Sequence, residues 1–98
     1  MVNTVINYLL KHKFFNIKIY DGSKLLSDSI VIGTGISKKQ VNEVGLKLLK
    51  YMKGKYKFKR IYLCGKNTEW LIIDFDSIIV HLILEDTRMS YDIDEFYH

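Results

Sequence analysis

A chain of 98 residues makes one small domain and buries roughly 60–65% of the surface its unfolded form exposes, which leaves no room for a large internal active-site cavity. Its 48% hydrophobic content at ordinary charge density excludes disorder, and its single cysteine excludes both a disulfide framework and a cysteine-rich zinc site. The net charge of +4 fits either an anionic partner such as RNA or an ordinary solvated surface.

The opening segment "MVNTVINYLLKHKFF" shows neither the basic leader nor the small-residue cleavage site of a signal peptide. No apolar stretch approaches the ~20 residues of a membrane span, so a reducing cytoplasmic compartment is expected. Val2, Val5, Ile6 and Leu9 recur at helical spacing, which predicts a short helix capped by Asn3 and closed by Lys11, His12 and Lys13. "FFNIKIY" then alternates Phe15, Ile17 and Ile19 against Asn16, Lys18 and Tyr20, the period of a half-buried strand. Asp21-Gly22 supplies turn chemistry, and "SIVIG" is a continuous apolar run of the kind that forms a central strand covered on both faces.

Residues Ser37 to about Tyr51 predict the longest helix. Ser37 and Gln40 form a capping box, Val41, Val44, Leu48 and Tyr51 make its core stripe, and Lys38, Lys39, Lys47, Lys50 and Lys53 face water. Gly54 suits the left-handed position that ends such a helix. Three strands follow: "FKRIYLC", in which Cys64 reads as a small buried hydrophobe, then "EWLIIDF" and "SIIVHLIL", joined tightly at Asp76-Ser77 as an antiparallel hairpin. The tail "EDTRMSYDIDEFYH" is acidic and aromatic, with room for one or two helical turns. This order predicts an α/β (α+β) fold, a single domain over 1–98 with a mixed sheet of about five strands and helices packed on it.

Few residue groups point to chemistry. Gly33-Thr34-Gly35 lacks the third glycine of a dinucleotide loop and the Gly-Lys-Ser/Thr ending of a P-loop. Asp74-Phe75-Asp76 has the carboxylate spacing of a metal-dependent nucleotidyltransferase beside such a glycine turn, which is the enzymatic alternative. It arrives a helix and a strand late, however, with Asp76 in a turn and Asp74 placed to cap local N–H groups. His81 sits inside an apolar strand with no nucleophile at a motif spacing, so no catalytic triad, metal or cofactor is expected. The lysines from Lys38 to Arg60, with Glu43 the lone acid, read as a solvated face or a contact to rRNA phosphates.

Two blocks resemble a known family. "DSIVIGTGISKKQV" is similar to the first signature of the ribosomal silencing factor (RsfS, or Iojap-like) family at Asp28, Thr34, Gly35, Ser37, Gln40 and Val41. "EWLIIDFDSIIVHLILEDTRMSYDIDEFYH" resembles the second at Glu69, Trp70, Asp74, Val80, His81, Arg88, Tyr91, Asp92 and Glu95. The chain departs from the family at Leu63-Cys64-Gly65-Lys66 and at Phe75-Asp76-Ser77. The resemblance implies a degenerate nucleotidyltransferase-like fold without catalysis. It also implies binding to the large ribosomal subunit through its ribosomal protein fourteen, so that the small subunit cannot join. A minor rRNA contact and a homodimer of the free protein are further expectations.

On that reading Gly33, Gly35, Ser37 and Gln40 serve a turn and a helix cap. Strand alternation puts Trp70, Ile72 and Asp74 on one face and Ile79, His81 and Ile83 on one face of the next strand, with Arg88 and Tyr91 neighbours on a short helix. Trp70, Ile72, His81, Ile83, Arg88 and Tyr91 are therefore the candidate partner-binding residues. Two readings stay open here. Trp70 is either a core residue or an exposed anchor, and Arg88 either flanks the patch or ties the tail to an acid such as Asp74 or Asp92.

Overall fold

The computed structural model describes residues 1–97. Helical periodicity and apolar runs become α1 (Val2–Lys11), β1 (Phe15–Asp21), a 3-10 turn (Ser23–Leu25), β2 (Ser29–Gly35), α2 (Lys38–Lys55), β3 (Tyr62–Cys64), β4 (Trp70–Asp74), β5 (Ile78–Leu84), α3 (Glu85–Tyr91) and α4 (Ile93–Tyr97). The strands form the expected five-stranded mixed sheet, and their order in it is β1-β2-β5-β4-β3. Only β2 and β5 are parallel, because the whole of α2, β3 and β4 intervenes and gives the chain the length to cross over. β4 and β5 form the expected hairpin, closed through Phe75–Ser77 with Asp76 in the left-handed region at φ 75°.

Strand alternation divides the core in two. Val31, Val80, Leu82, Leu71 and Ile73 point to one face, where α1 and α2 bury Val5, Leu9, Val41, Leu48 and Met52 against them. Ile30, Ile32 and Ile83 point to the other, where the short tail helices supply Ile93 and Tyr97. β2 is covered on both sides, as its unbroken apolar run requires.

The glycines act by size. Gly33 and Gly35 lie inside β2, and the turn into α2 falls at Ile36 and Ser37. A Cβ on Gly35 would stand 2.9 Å from Gln40 Oε1 and 3.0 Å from Val41, and one on Gly33 would stand 3.3 Å from Leu9, so both let the helix layer close on the strand. Ser37 caps α2 by accepting from the Gln40 N–H at 3.0 Å. Gln40 returns the bond one residue earlier than a capping box requires: Oε1 accepts from the Ile36 N–H at 2.6 Å, while Nε2 donates to the His12 carbonyl at 2.9 Å and ties α1 to α2.

Five local expectations are corrected. Helix α1 begins at Val2, so Asn3 lies inside it and Met1 occupies the cap position. Gly54 is helical, because α2 runs on to Lys55 and leaves through extended Tyr56, whose hydroxyl meets Thr4 Oγ1 at 2.7 Å. β3 is only three residues long, since Phe58 and Ile61 pack into the core as irregular chain. Cys64 is exposed, because the outer face of that edge strand is uncovered. β1 carries a bulge between Phe15 and Lys18, with Asn16 left-handed at φ 49°, so Phe15 lies on the face opposite Ile17 and Ile19, and both Phe15 and Ile19 are exposed.

Helix α2 packs on the sheet at Gly45, where an added Cβ would collide with the Leu71 side chain and stand 3.3 Å from Leu82. Leu71 is fully buried and cannot swing aside. Overpacking of this kind costs ~1–3 kcal/mol, against the ~1 kcal/mol that alanine gains over glycine in a helix. Gly45→Ala should therefore lower the urea midpoint. A stabilised variant would show that the helix stands further from the sheet.

Candidate protein interface around Trp70

The tail helices are seated by one buried guanidinium. Arg88, on α3, is 5% exposed and donates through Nε and Nη2 to the two carboxylate oxygens of Asp94 on α4, each at 2.7 Å. Its Nη1 donates to the Asn16 carbonyl at 2.6 Å and to Thr34 Oγ1 at 2.8 Å, so the bulge in β1 aims a carbonyl at the arginine. Tyr20 donates its hydroxyl to Asp94 Oδ2 at 2.6 Å. Held chiefly by the Arg88 hydrogen bonds, Asp94 is lowered to about 2, while burial and then the Asp94 bond push the Tyr20 phenol up. Arg88 thus anchors the tail rather than flanking a patch. Its partner is Asp94, not Asp74 or Asp92; Glu95 is exposed and plays no part in the pair.

A second chain of bonds crosses the same face. Trp70 on β4 donates its indole N–H to His81 Nδ1 on β5 at 2.9 Å, and His81 Nε2 meets the Tyr97 hydroxyl on α4 at 2.9 Å. An indole nitrogen can only donate, so Nδ1 offers its lone pair and the imidazole proton sits on Nε2, donated to Tyr97. The rings close over one another: Trp70 lies 5.9 Å from His81 and 5.4 Å from Tyr91, centroid to centroid. Position Trp70 is set from behind by α2, where buried Asn42 accepts from the Asn67 N–H at 2.6 Å and donates to the Thr68 carbonyl at 2.8 Å. Gly65, left-handed at φ 83°, completes that turn, since a Cβ there would strike the Trp70 carbonyl. The Leu63–Lys66 departure therefore holds the β3–β4 turn that delivers Trp70.

Of the six expected contact residues, three reach the surface. Trp70 and Ile72 are half-buried and Tyr91 is 67% exposed. His81, Ile83 and Arg88 are buried, because α3 and α4 lie over β2 and β5 on this face. Those helices leave β4 and β3 open. The register places Tyr62 beside Asp74 and Cys64 beside Ile72, so Tyr62 and Cys64 extend the same face, and both are exposed. The alternation of Tyr62 and Cys64 in "IYLC" carried that signal, hidden by reading the strand as buried. From Trp70 and Tyr91 a shallow groove runs past Thr87 and Glu69 toward Asn67 and Lys38.

The parts of the enzymatic alternative do not meet. Asp74 is level with Ile79 and hence with Ile30, whereas Gly35 closes the other end of β2, five residues or ~16 Å along the strand. Asp74 accepts from the Asp76 N–H at 2.8 Å as a turn cap, and exposed Asp76 faces Arg60 at 3.5 Å. Among the described residues no three His, Cys, Asp or Glu side chains cluster to hold a metal ion.

Two measurements test this arrangement. Arg88→Ala leaves Asp94 partnered by Tyr20 alone and orphans the Asn16 carbonyl, so stability should fall by about 3 kcal/mol in urea denaturation; a loss under ~1 kcal/mol would mean the tail is held by apolar packing. Burial lowers His81 from 6.5 to about 4, only partly opposed by Asp94. The unfolded chain therefore binds a proton first as the pH falls, and stability present above pH 6.5 is lost progressively between about 6.5 and 4. Wild type should lose about 2 kcal/mol between pH 7 and pH 5 and His81→Gln distinctly less, while a flat wild-type profile would contradict the buried neutral imidazole.

The sequence matches the family model described as "Ribosomal silencing factor during starvation" over residues 1–98. It is 31% identical over 77 residues to the ribosomal silencing factor RsfS of Haemophilus influenzae, covering 78% of this chain and 74% of that one. A mouse protein named "Mitochondrial assembly of ribosomal large subunit protein 1" is 29% identical, with 72% of this chain matched but only 32% of the mouse protein spanned. The chloroplastic Iojap protein of Arabidopsis thaliana is 28% identical, with 68% of this chain and 28% of that protein covered. A crystal structure of a Chromobacterium violaceum protein superposes with a TM-score of 0.86 at 27% identity, covering 98% of this chain and 82% of that one. A Bacillus halodurans structure at 23% identity shares the fold with a TM-score of 0.74, over 98% of this chain and 91% of that one. The chain belongs to the ribosomal silencing factor (RsfS) family.

Proposed function

We propose that the protein binds the large ribosomal subunit through its ribosomal protein fourteen and, from the intersubunit side, blocks joining of the small subunit. Blocking is steric, and no catalytic step is involved. The observation that carries this reading is the open half of the sheet. Trp70, Ile72 and Tyr91, continued by Tyr62 and Cys64, form an apolar and aromatic surface that the tail helices leave bare. Such a surface is rich in the residue types that anchor protein interfaces and is unfavourable left in water. The family's name refers to silencing of ribosomes, and the mouse relative's name refers to assembly of the large subunit, so a ribosomal partner supplies the occupant. Translation repression in the cytoplasm is the role this implies, with a homodimer through the same surface as the resting state of the free protein.

Trp70→Ala removes both a contact and the donor to buried His81, so it confounds affinity with stability. Tyr91→Ala and Ile72→Glu separate them. Tyr91→Ala should change folding stability by only about 0.5 kcal/mol, yet each variant should weaken binding by roughly 2 kcal/mol or more if its residue is an anchor. In sedimentation, wild-type protein should travel with free large subunits and stay off joined ribosomes, and the variants should remain at the top of the gradient. Equal occupancy of both particles would rule out the steric reading.

A further inference from the structure

The net charge of +4 hides a division across the sheet. Residues 38–60 hold nine of the fifteen Lys and Arg side chains and one acid, Glu43, whereas residues 85–95 hold five acids and one cation, the buried Arg88. The first set rides on α2 and the chain leaving it, on one face; the second rides on α3 and α4, on the other. All nine cations of the first set are exposed. Lys39 faces Glu43 at 3.9 Å and Arg60 faces Asp76 at 3.5 Å; among the described residues, Lys47, Lys50, Lys53 and Lys55 have no carboxylate within salt-bridge distance. Like charges three and four residues apart repel along a helix, so this surface is at its least favourable when free.

Helix α1 extends the surface. It contributes Lys11 and no acid, and aromatic rings meet at a tilt between the two helices: His12 against Tyr8 at 4.4 Å and Tyr8 against Tyr51 at 4.9 Å. Tyr51 is 42% exposed, with Lys55 Nζ 5.5 Å from its ring. A shallow depression lined by Asn7, Tyr8, Lys11, His12 and Tyr51 lies there. Flat rings rimmed by unpaired ammonium groups, along a helix ~27 Å long, match a phosphate backbone with exposed bases better than a protein surface.

We infer that the outer surface of α1 and α2 binds ribosomal RNA phosphates, so that the protein grips the large subunit by two chemically different contacts on opposite faces. This inference rests on the large-subunit reading above. A protein held only by its apolar patch would bind the subunit with little dependence on salt. One that also displaces counterions from phosphates loses affinity with salt in proportion to the number of contacts.

Binding to purified large subunits and to isolated ribosomal protein fourteen, measured from 50 to 200 mM salt, tests it with two variants, Lys47→Ala/Lys50→Ala and Ile72→Glu. The lysine pair should weaken subunit binding roughly tenfold or more at 100 mM salt and flatten the slope of log affinity against log salt by about 1.5. It should leave affinity for the isolated protein unchanged, whereas Ile72→Glu should abolish both. Subunit binding by the lysine variant equal to wild type at every salt concentration overturns the RNA contact and leaves the proposed function standing. Equal loss toward the isolated protein also overturns it, by assigning the lysines to a protein contact. Failure of wild type to bind subunits overturns both.

Discussion

The placement of the tail on the sheet depends on Arg88. A guanidinium buried among β1, β2, α3 and α4 is tolerable only because each of its faces finds an acceptor: a carboxylate fork, a backbone carbonyl and a hydroxyl. That demand is met by three separate pieces of chain. Asn16 turns its carbonyl inward through a bulge, Thr34 presents its hydroxyl from the central strand, and Asp92 adopts a left-handed conformation at φ 51° so that α4 doubles back with Asp94 in place. Once the fork is closed, Ile93 falls on Ile30, Ile32 and Ile83, and Tyr97 falls on His81. The tail helices, seven and five residues long, are too short to persist alone. Their order is borrowed from this one ion pair and the apolar contacts it aligns.

The same seating decides what is left bare. Because α3 and α4 are drawn toward β1 and β2 by Asn16, Thr34 and Tyr20, they cannot also cover β4 and β3. Trp70 sits at the boundary, its indole nitrogen fixed inward on His81 and its ring edge against Tyr91. The tryptophan is thus neither a core residue nor a freely exposed one. A ring held in one orientation before a partner arrives loses little conformational entropy on binding, which is how a half-buried aromatic acts as an anchor at small cost. Burial of His81 keeps the imidazole neutral, and only the neutral form can accept from the indole, so the orientation of Trp70 depends on a proton being absent.

Much of this was legible in the sequence, and the boundary of legibility is physical. The sheet, its hairpin, the capped helix after the glycines and the shared face of Trp70, Ile72 and His81 follow from periods of 2 and 3.6 and from turn chemistry, all of them local. The resemblance to the RsfS family rested on residues that the fold uses, among them Ser37, Gln40, His81 and Arg88. Errors arose where a residue answers to something far away in the chain. Gly35 looked like a bend and is a gap left for Val41, Gln40 and Phe14. Arg88 was open between a surface contact and a tail anchor until Asn16 and Thr34, more than fifty residues earlier, closed around it. Asp94 was passed over for Asp74 or Asp92 because nothing local tells which acid turns inward; the fork geometry with Arg88 does.

The glycines and paired carboxylates suggested a nucleotidyltransferase, and their separation along the sheet keeps them from forming that site. A phosphate site needs free N–H groups at a helix N-terminus, and at the start of α2 Ser37 takes the Gln40 N–H while Gln40 takes that of Ile36. A metal site needs carboxylates converging from more than one element, and Asp74 is occupied by its own turn at the far end of the sheet. What remains free of internal partners is surface: an open apolar half-face on one side and unpaired lysines on the other. A body of 33 × 28 × 21 Å cannot obstruct a ribosomal subunit by bulk. On the proposed reading it would do so by standing where the two subunits must touch, which calls for a fixed orientation. In the proposed role, two contacts of unlike chemistry on opposite faces of the sheet would add to that fixation.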